Sequence, residues 1–149
     1  MRRMTDILII LAVLVLGALL FVRFAPSDPA DWHADPLTVA KPARPNHWLI
    51  RDGGDAPAVL LPQPPDQVMA RLDSIARATP RTRLLAGTGF HKTWRTRSAT
   101  LGFPDYTSVR VEPAGAGTRL TLYARARFGS SDFGVNRKRA EGWIAQIAD

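Results

Sequence analysis

The sequence predicts an α+β fold, an antiparallel β-sheet with two helices on one face, preceded by a single N-terminal transmembrane helix. Three observations carry that expectation. Sixteen apolar residues without a charge stand near the N-terminus, two later segments repeat apolar residues at helical spacing, and between them the period falls to two. A helix, then strands joined by short turns, then a helix places neighbouring strands antiparallel and leaves both helices to cover one apolar face. The other face is then open.

The first element is ILIILAVLVLGALLFV, Ile7 to Val22, followed by Arg23 and Phe24. Eighteen positions from Ile7 to Phe24 reach about 27 Å at 1.5 Å per residue, close to the hydrocarbon core of a bilayer. A cleaved signal peptide would use Arg2 and Arg3 as its basic start and leave a secreted domain. Residues 19–26 are too bulky for a small-x-small exit and Pro26 follows Ala25, which favours an uncleaved anchor over residues 1–24. Arg2 and Arg3 precede the span while Asp28, Asp31 and Asp35 follow it. The positive-inside rule then sets the N-terminus in the cytoplasm and the C-terminal domain outside, at the inner membrane. That location excludes nucleic acid, ATP and nicotinamide cofactors as ordinary partners.

Residues 25–45, APSDPADWHADPLTVAKPARP, hold five prolines and no apolar period, which reads as a stiff spacer. Trp32 and Trp48 suit either the interfacial belt of a membrane or docking onto the domain itself. The folded part is expected over 46–149. An edge strand is read at 58–61, and PDQVMARLDSIARA gives a helix over 65–78 with Val68, Leu72, Ile75 and Ala76 on its stripe. Strands follow at 82–87 and 90–98, then a hairpin of 106–112 with 118–128. The last helix runs from Asp132 to Ala148, with Ala140, Trp143, Ile144 and Ile147 at helical spacing.

Alternation sorts the basic residues. Leu120, Leu122, Ala124, Ala126 and Phe128 point one way, and Arg119, Thr121, Tyr123, Arg125 and Arg127 the other. Burying Phe90 and Trp94 turns Arg95 and Arg97 outward, and burying Val109 and Val111 turns Arg110 and Glu112 outward. Six arginines therefore gather around Tyr123. They suit either a solvated sheet face or a surface that grips phosphate, carboxylate or sulfate with planar guanidinium forks. The turn before the last helix adds donors: Ser131 or Asp132 is its N-cap, with Arg137, Lys138 and Arg139 in the second turn. Asp132 itself can serve as the anion there, pairing with Arg127 or Arg137. Asn136 lies on the apolar stripe and needs partners. The candidate anion-binding set is Arg95, Arg97, Arg125, Arg127, Ser131, Asp132, Arg137 and Arg139.

The stretches TRSATLGFPDYTSVRVEP and LYARARFGSSDFGVNRKRAEGWIAQI resemble a bacterial family known as domain of unknown function 1499. The likeness rests on Gly129, Ser131, Asp132, Gly134, Asn136, Arg137 and Arg139, with Phe103, Pro104 and Asp105 matching an upstream turn, and covers about residues 56–148. It implies a single domain, secreted or membrane-attached, and no particular activity.

A formal charge of +7 points toward polyanions, but 17 of the 20 basic residues are Arg in an Ala- and Pro-rich chain, a profile coding bias alone produces. With no cysteine there is no disulfide, thiolate metal site, cysteine nucleophile or thioether lipid anchor. His33, His47 and His91 lack metal-ligand spacing, Ser98, Ser130 and Ser131 lack a nucleophile context, and no cofactor or metal is expected. Two functions follow: a non-enzymatic, membrane-anchored module for an anionic envelope component or acidic partner protein, or a small envelope hydrolase using Asp105 or Asp132.

Overall fold

The computed structural model describes residues 2–148. The apolar run lies in α1 (Arg2–Phe24), followed by a single turn, α2 (Pro29–Trp32). Asp28 starts that turn by accepting the Ala30 N–H at 2.9 Å, and Pro29 brings a preset helical φ. Then come β1 (His47–Ile50), β2 (Val59–Leu61), α3 (Pro65–Ala78), β3 (Thr82–Thr88), β4 (His91–Arg97), β5 (Pro104–Ala114), β6 (Gly117–Ala126) and α4 (Val135–Ala148).

The six strands form one antiparallel sheet ordered β1-β6-β5-β4-β3, and β2 also pairs with β6. β1 takes residues 122–125 of β6 and β2 takes 118–120, so two short strands share one edge. β1 is the strand that the sequence pattern does not announce. Four residues are too few for alternation to register, and β1 is held by β6 and by Asp55, whose Oδ2 accepts the Leu49 N–H at 2.9 Å.

Register assigns side chains to faces. Trp94, Thr107, Ala124 and Trp48 are successive cross-strand partners, as are Val109, Leu122 and Ile50. One buried cluster joins Trp94, Ala124, Val109, Leu122 and Ile50, with Trp48 packed against it, to the α3 stripe of Val68, Met69, Leu72, Ile75 and Ala76 and to Ala140, Trp143 and Ile147 of α4. Each fully buried aliphatic side chain of this kind contributes roughly 1.5–3 kcal/mol. Trp143 meets Trp94 edge-on at 5.7 Å and donates its indole N–H to Thr79 Oγ1 at 3.0 Å, so it ties α4 to the end of α3.

The opposite side of the sheet is not open, which corrects the sequence expectation. Residues 25–37, part of the stretch read as a stiff spacer, lie across it as a strap. Trp32 stacks on Tyr106 at 4.2 Å and His33 on His91 at 4.0 Å, while Asp35 pairs with Arg110 at 2.8 Å. Ala25 and Pro36 are buried, and Arg51 donates to the Pro36 and Leu37 carbonyls. Apart from the single turn α2, the prolines leave this segment little hydrogen-bonded regular structure, so it settles on side-chain contacts.

Three smaller expectations change. Phe90 precedes β4 and is 45 % exposed, because the chain turns at Gly89 before pairing resumes at His91. β6 ends at Ala126, which releases Phe128 from the alternation to approach Phe103 and Phe21 at 6.3 and 6.5 Å. α4 begins at Val135 rather than Asp132, and Arg137 therefore sits in its first turn.

Candidate functional site

The eight residues of the candidate set occupy three separate places. Arg125 is an internal cation, 5 % exposed beneath the strap. Its Nη1 donates to Ser108 Oγ at 2.8 Å and to the Tyr123 carbonyl, and its Nη2 donates to the Trp32 carbonyl. Its guanidinium carbon lies 4.5 Å from the Tyr123 ring centroid and 5.7 Å from that of Tyr106. Among the described residues no carboxylate pairs with it, so dipoles and ring faces carry the charge. Burial brings its pKa down to about 10, against the opposing pull of Tyr123 and Tyr106. Arg127 lies beside it, donating to the Pro26 carbonyl with its guanidinium 5.4 Å from the Trp32 ring.

Arg125 also heads a polar chain. Ser108 Oγ lies 2.8 Å from Thr93 Oγ1, which lies 2.8 Å from His33 Nδ1. Arginine only donates, so Ser108 Oγ accepts at that end; either hydroxyl can donate in the Ser108–Thr93 link, and the role of His33 Nδ1 follows its tautomer. Burial, then the charges of His91 and Arg125, lower the His33 pKa, with Asp35 opposing. Of the three histidines that read as scattered, the strap thus brings His33 and His91 together, while His47 lies beside Asp55.

The Ser-Asp turn forms a second, closed network. Asp132 Oδ1 accepts the Gly134 N–H at 3.0 Å, and Oδ2 accepts the Asn136 N–H at 3.0 Å and its Nδ2 at 2.8 Å. Asn136, 0 % exposed, accepts in turn from Arg139 Nη1 at 2.9 Å, and Arg139 Nη2 reaches Asp105 Oδ2 at 3.2 Å. Burial raises the Asp105 pKa; Arg139 opposes that rise and the charge of Asp132 adds to it. The network joins the start of α4 to the start of β5. Asp132 partners neither Arg127 nor Arg137, because the nearby amides of α4 claim both its oxygens. Arg137 instead pairs with Glu141 at 2.8 Å and lies 4.5 Å from the Trp48 ring, and Ser131 Oγ accepts the Phe133 N–H.

Arg95 and Arg97 stand apart. They line a cavity of about 410 Å³ together with Arg23, Phe24, Arg81 and Arg83. Arg83 and Arg95 are direct cross-strand partners. Arg97 Nη1 donates to the Gly102 carbonyl at 2.8 Å and Arg81 Nε to the Arg97 carbonyl at 3.1 Å. Among the described residues none of the five arginines is ion-paired, and neither a carboxylate nor an imidazole lines the cavity. Burial lowers the Arg97 pKa, as do the charges of Arg95, Arg23 and Arg127, against Tyr106. Like charges set opposite one another in a sheet are destabilising, so this arrangement suits a visiting anion held by several guanidinium forks.

Sequence reasoning missed Arg81 and Arg83 and read Arg23 only as the end of the span. The signal for Arg83 was present: it alternates with Thr82 and Leu84 in a strand expected beside that of Arg95. Arg81 carries no such signal, since it adopts φ 59° in the link from α3 to β3.

The sheet, the helices and the cleft define a class: an antiparallel α+β domain with a cationic cavity beside an apolar N-terminal helix. Within that class, the chain belongs to the family described as Protein of unknown function (DUF1499), which matches residues 30–147. The match begins inside the strap, so Trp32, His33 and Asp35 fall within the family domain. Neither a curated protein nor a solved structure matches this chain.

Proposed function

We propose that this protein is a single-pass membrane protein whose domain lies outside the cytoplasm and binds an anionic envelope component, or an acidic partner protein, through the arginine cleft. In this reading α3 and α4 cover one face of the sheet, the strap covers part of the other beside the arginine cleft, and α1 is the anchor. The observation that carries it is the cleft itself: five arginines, without an acidic partner among the described residues, around one cavity of about 410 Å³, a size suited to a small ligand. Arg2 and Arg3 before the apolar run of α1, and Asp28, Asp31 and Asp35 after it, support the orientation. Asp105 and Asp132, the carboxylates of a hydrolase, are engaged by Arg139 and by the start of α4, and no observation favours that second reading.

The test is a titration of the full chain in non-ionic detergent with inorganic phosphate, following the Nε–H signals of the arginines. Saturable shifts confined to the cleft, weakened by added salt, support the reading. Shifts spread evenly over all arginines, or none, overturn it. A reporter active only outside the cytoplasm, fused after Asp149, checks the orientation: activity supports it and silence reverses it.

A further inference from the structure

Resting on that reading, we propose that the anion taken by the cleft is the phosphate-ester headgroup of an anionic phospholipid, in the leaflet where α1 ends. The placement of the cleft carries this. Arg23 and Phe24 close α1 and are also two of its walls. The helix from Arg3 to Phe24 has 22 residues, none of its most apolar window buried against the protein. At 1.5 Å per residue the stretch from Ile7 to Phe24 reaches about 27 Å, close to the thickness of a hydrocarbon core, which sets Arg23 near the headgroup level.

The rim of the cleft agrees with a lipid better than with a free anion. Phe24, a wall of the cleft, is 70 % exposed, and Leu101, next to the lining residue Gly102, is 42 % exposed. An added Cβ at Gly102 would lie 3.2 Å from Arg23 Cγ, so that loop closes directly on the end of α1. An exposed apolar wall beside guanidinium groups matches a molecule with acyl chains on one side and phosphate oxygens on the other. Arg23 follows the apolar run directly, where a cation extends toward the phosphates. Arg81, Arg83, Arg95 and Arg97 then approach the same phosphate from the domain side. A soluble phosphate shares the anionic chemistry but makes no use of the apolar rim.

The experiment places the full chain in nanodiscs of equimolar phosphatidylglycerol and phosphatidylcholine, releases it, and counts retained lipids by native mass spectrometry. Wild type is expected to retain phosphatidylglycerol about tenfold over phosphatidylcholine, given the pull of several surface arginines on an anionic headgroup. The Arg83→Gln/Arg95→Gln variant should fall to near parity. The Arg77→Gln/Lys138→Gln control removes the same charge outside the cleft and should keep the enrichment. Unfolding curves matching wild type establish that both variants are folded. Enrichment that survives in the cleft variant, or vanishes equally in the control, overturns the proposal. Parity in wild type while inorganic phosphate still shifts the cleft arginines overturns the lipid assignment and leaves the anion site standing. Parity without phosphate shifts removes both.

Discussion

Arg83, Arg95, Tyr106, Arg125 and His47 form one row across the sheet, each the register partner of the next. Toward one end of that row Arg125 is sealed beneath Trp32 and bonded to two carbonyls and a hydroxyl. At the other end the cross-strand partners Arg83 and Arg95 line an open cavity that has no carboxylate among the described residues. The residues are alike, and so is the side of the sheet. What separates them is how the strap meets them: it closes over Arg125, where the Trp32 carbonyl accepts from Nη2, but touches Arg95 only through Ser27 Oγ, 3.4 Å from Nη1. Under the strap Arg125 acts as internal cement, with three N–H bonds to two carbonyls and a hydroxyl. At the other end the arginines keep charge and free N–H donors for a ligand.

The comparison breaks most visibly at Arg125. Its replacement by Met leaves Ser108 Oγ and the Tyr123 and Trp32 carbonyls without that donor in a place closed to water, and should cost about 3 kcal/mol in urea unfolding. A cost under about 1 kcal/mol would falsify the cement role.

The closed network of the Ser-Asp turn ranks next. Asn136→Ala removes both the Asp132 and the Arg139 contacts from a fully buried position, and about 2 kcal/mol of stability should go with them. Because that network does not line the cleft, phosphate titration of the folded variant should match wild type; altered phosphate binding would mean that the two regions are coupled.

Acidification sharpens the contrast by loosening only the sealed end. His33 has a folded pKa below its ordinary 6.5, through burial first and then the charges of His91 and Arg125, with Asp35, itself paired to Arg110, opposing. The folded state thus binds fewer protons, and the associated stability is present above pH 6.5 and lost as pH falls through the folded value. Protection of the amides of residues 32–35 against hydrogen exchange, taken relative to the intrinsic rate at each pH, should fall over that window in wild type and stay level in His33→Gln. Equal profiles for the two proteins would sink the assignment.

The smallest effect on folding belongs to the open end. Arg83→Gln with Arg95→Gln removes a like-charge cross-strand pair, and stability should change by no more than about 0.5 kcal/mol, toward gain at low salt. A loss comparable to that of Arg125→Met would erase the distinction between the two ends.

Much of this was legible in advance for a definite reason. Val68, Leu72, Ile75 and Ala76 announce α3, and Leu120, Leu122 and Ala124 announce the covered side of β6, because helix and strand periods are local properties of the chain. The Asp132–Asn136–Arg139 link was half legible: an Asn on an apolar stripe must find partners, but nothing local names Arg139 or reveals that Asp105 completes it. Phe90 and Phe128 were misplaced because alternation does not say where pairing stops.

Period and composition alone were enough for the apolar helix, the antiparallel order of the hairpin strands and the side of the sheet from which the arginines project. They could not say what lies over that side. Trp32 and the Arg125 that donates to its carbonyl are 93 residues apart, and the proline-rich segment that brings them together has no period of its own to read. Local alternation decides which way a side chain points; only long-range packing decides whether it meets a neighbour or water. Here that made one arginine part of the core and left five lining a cleft.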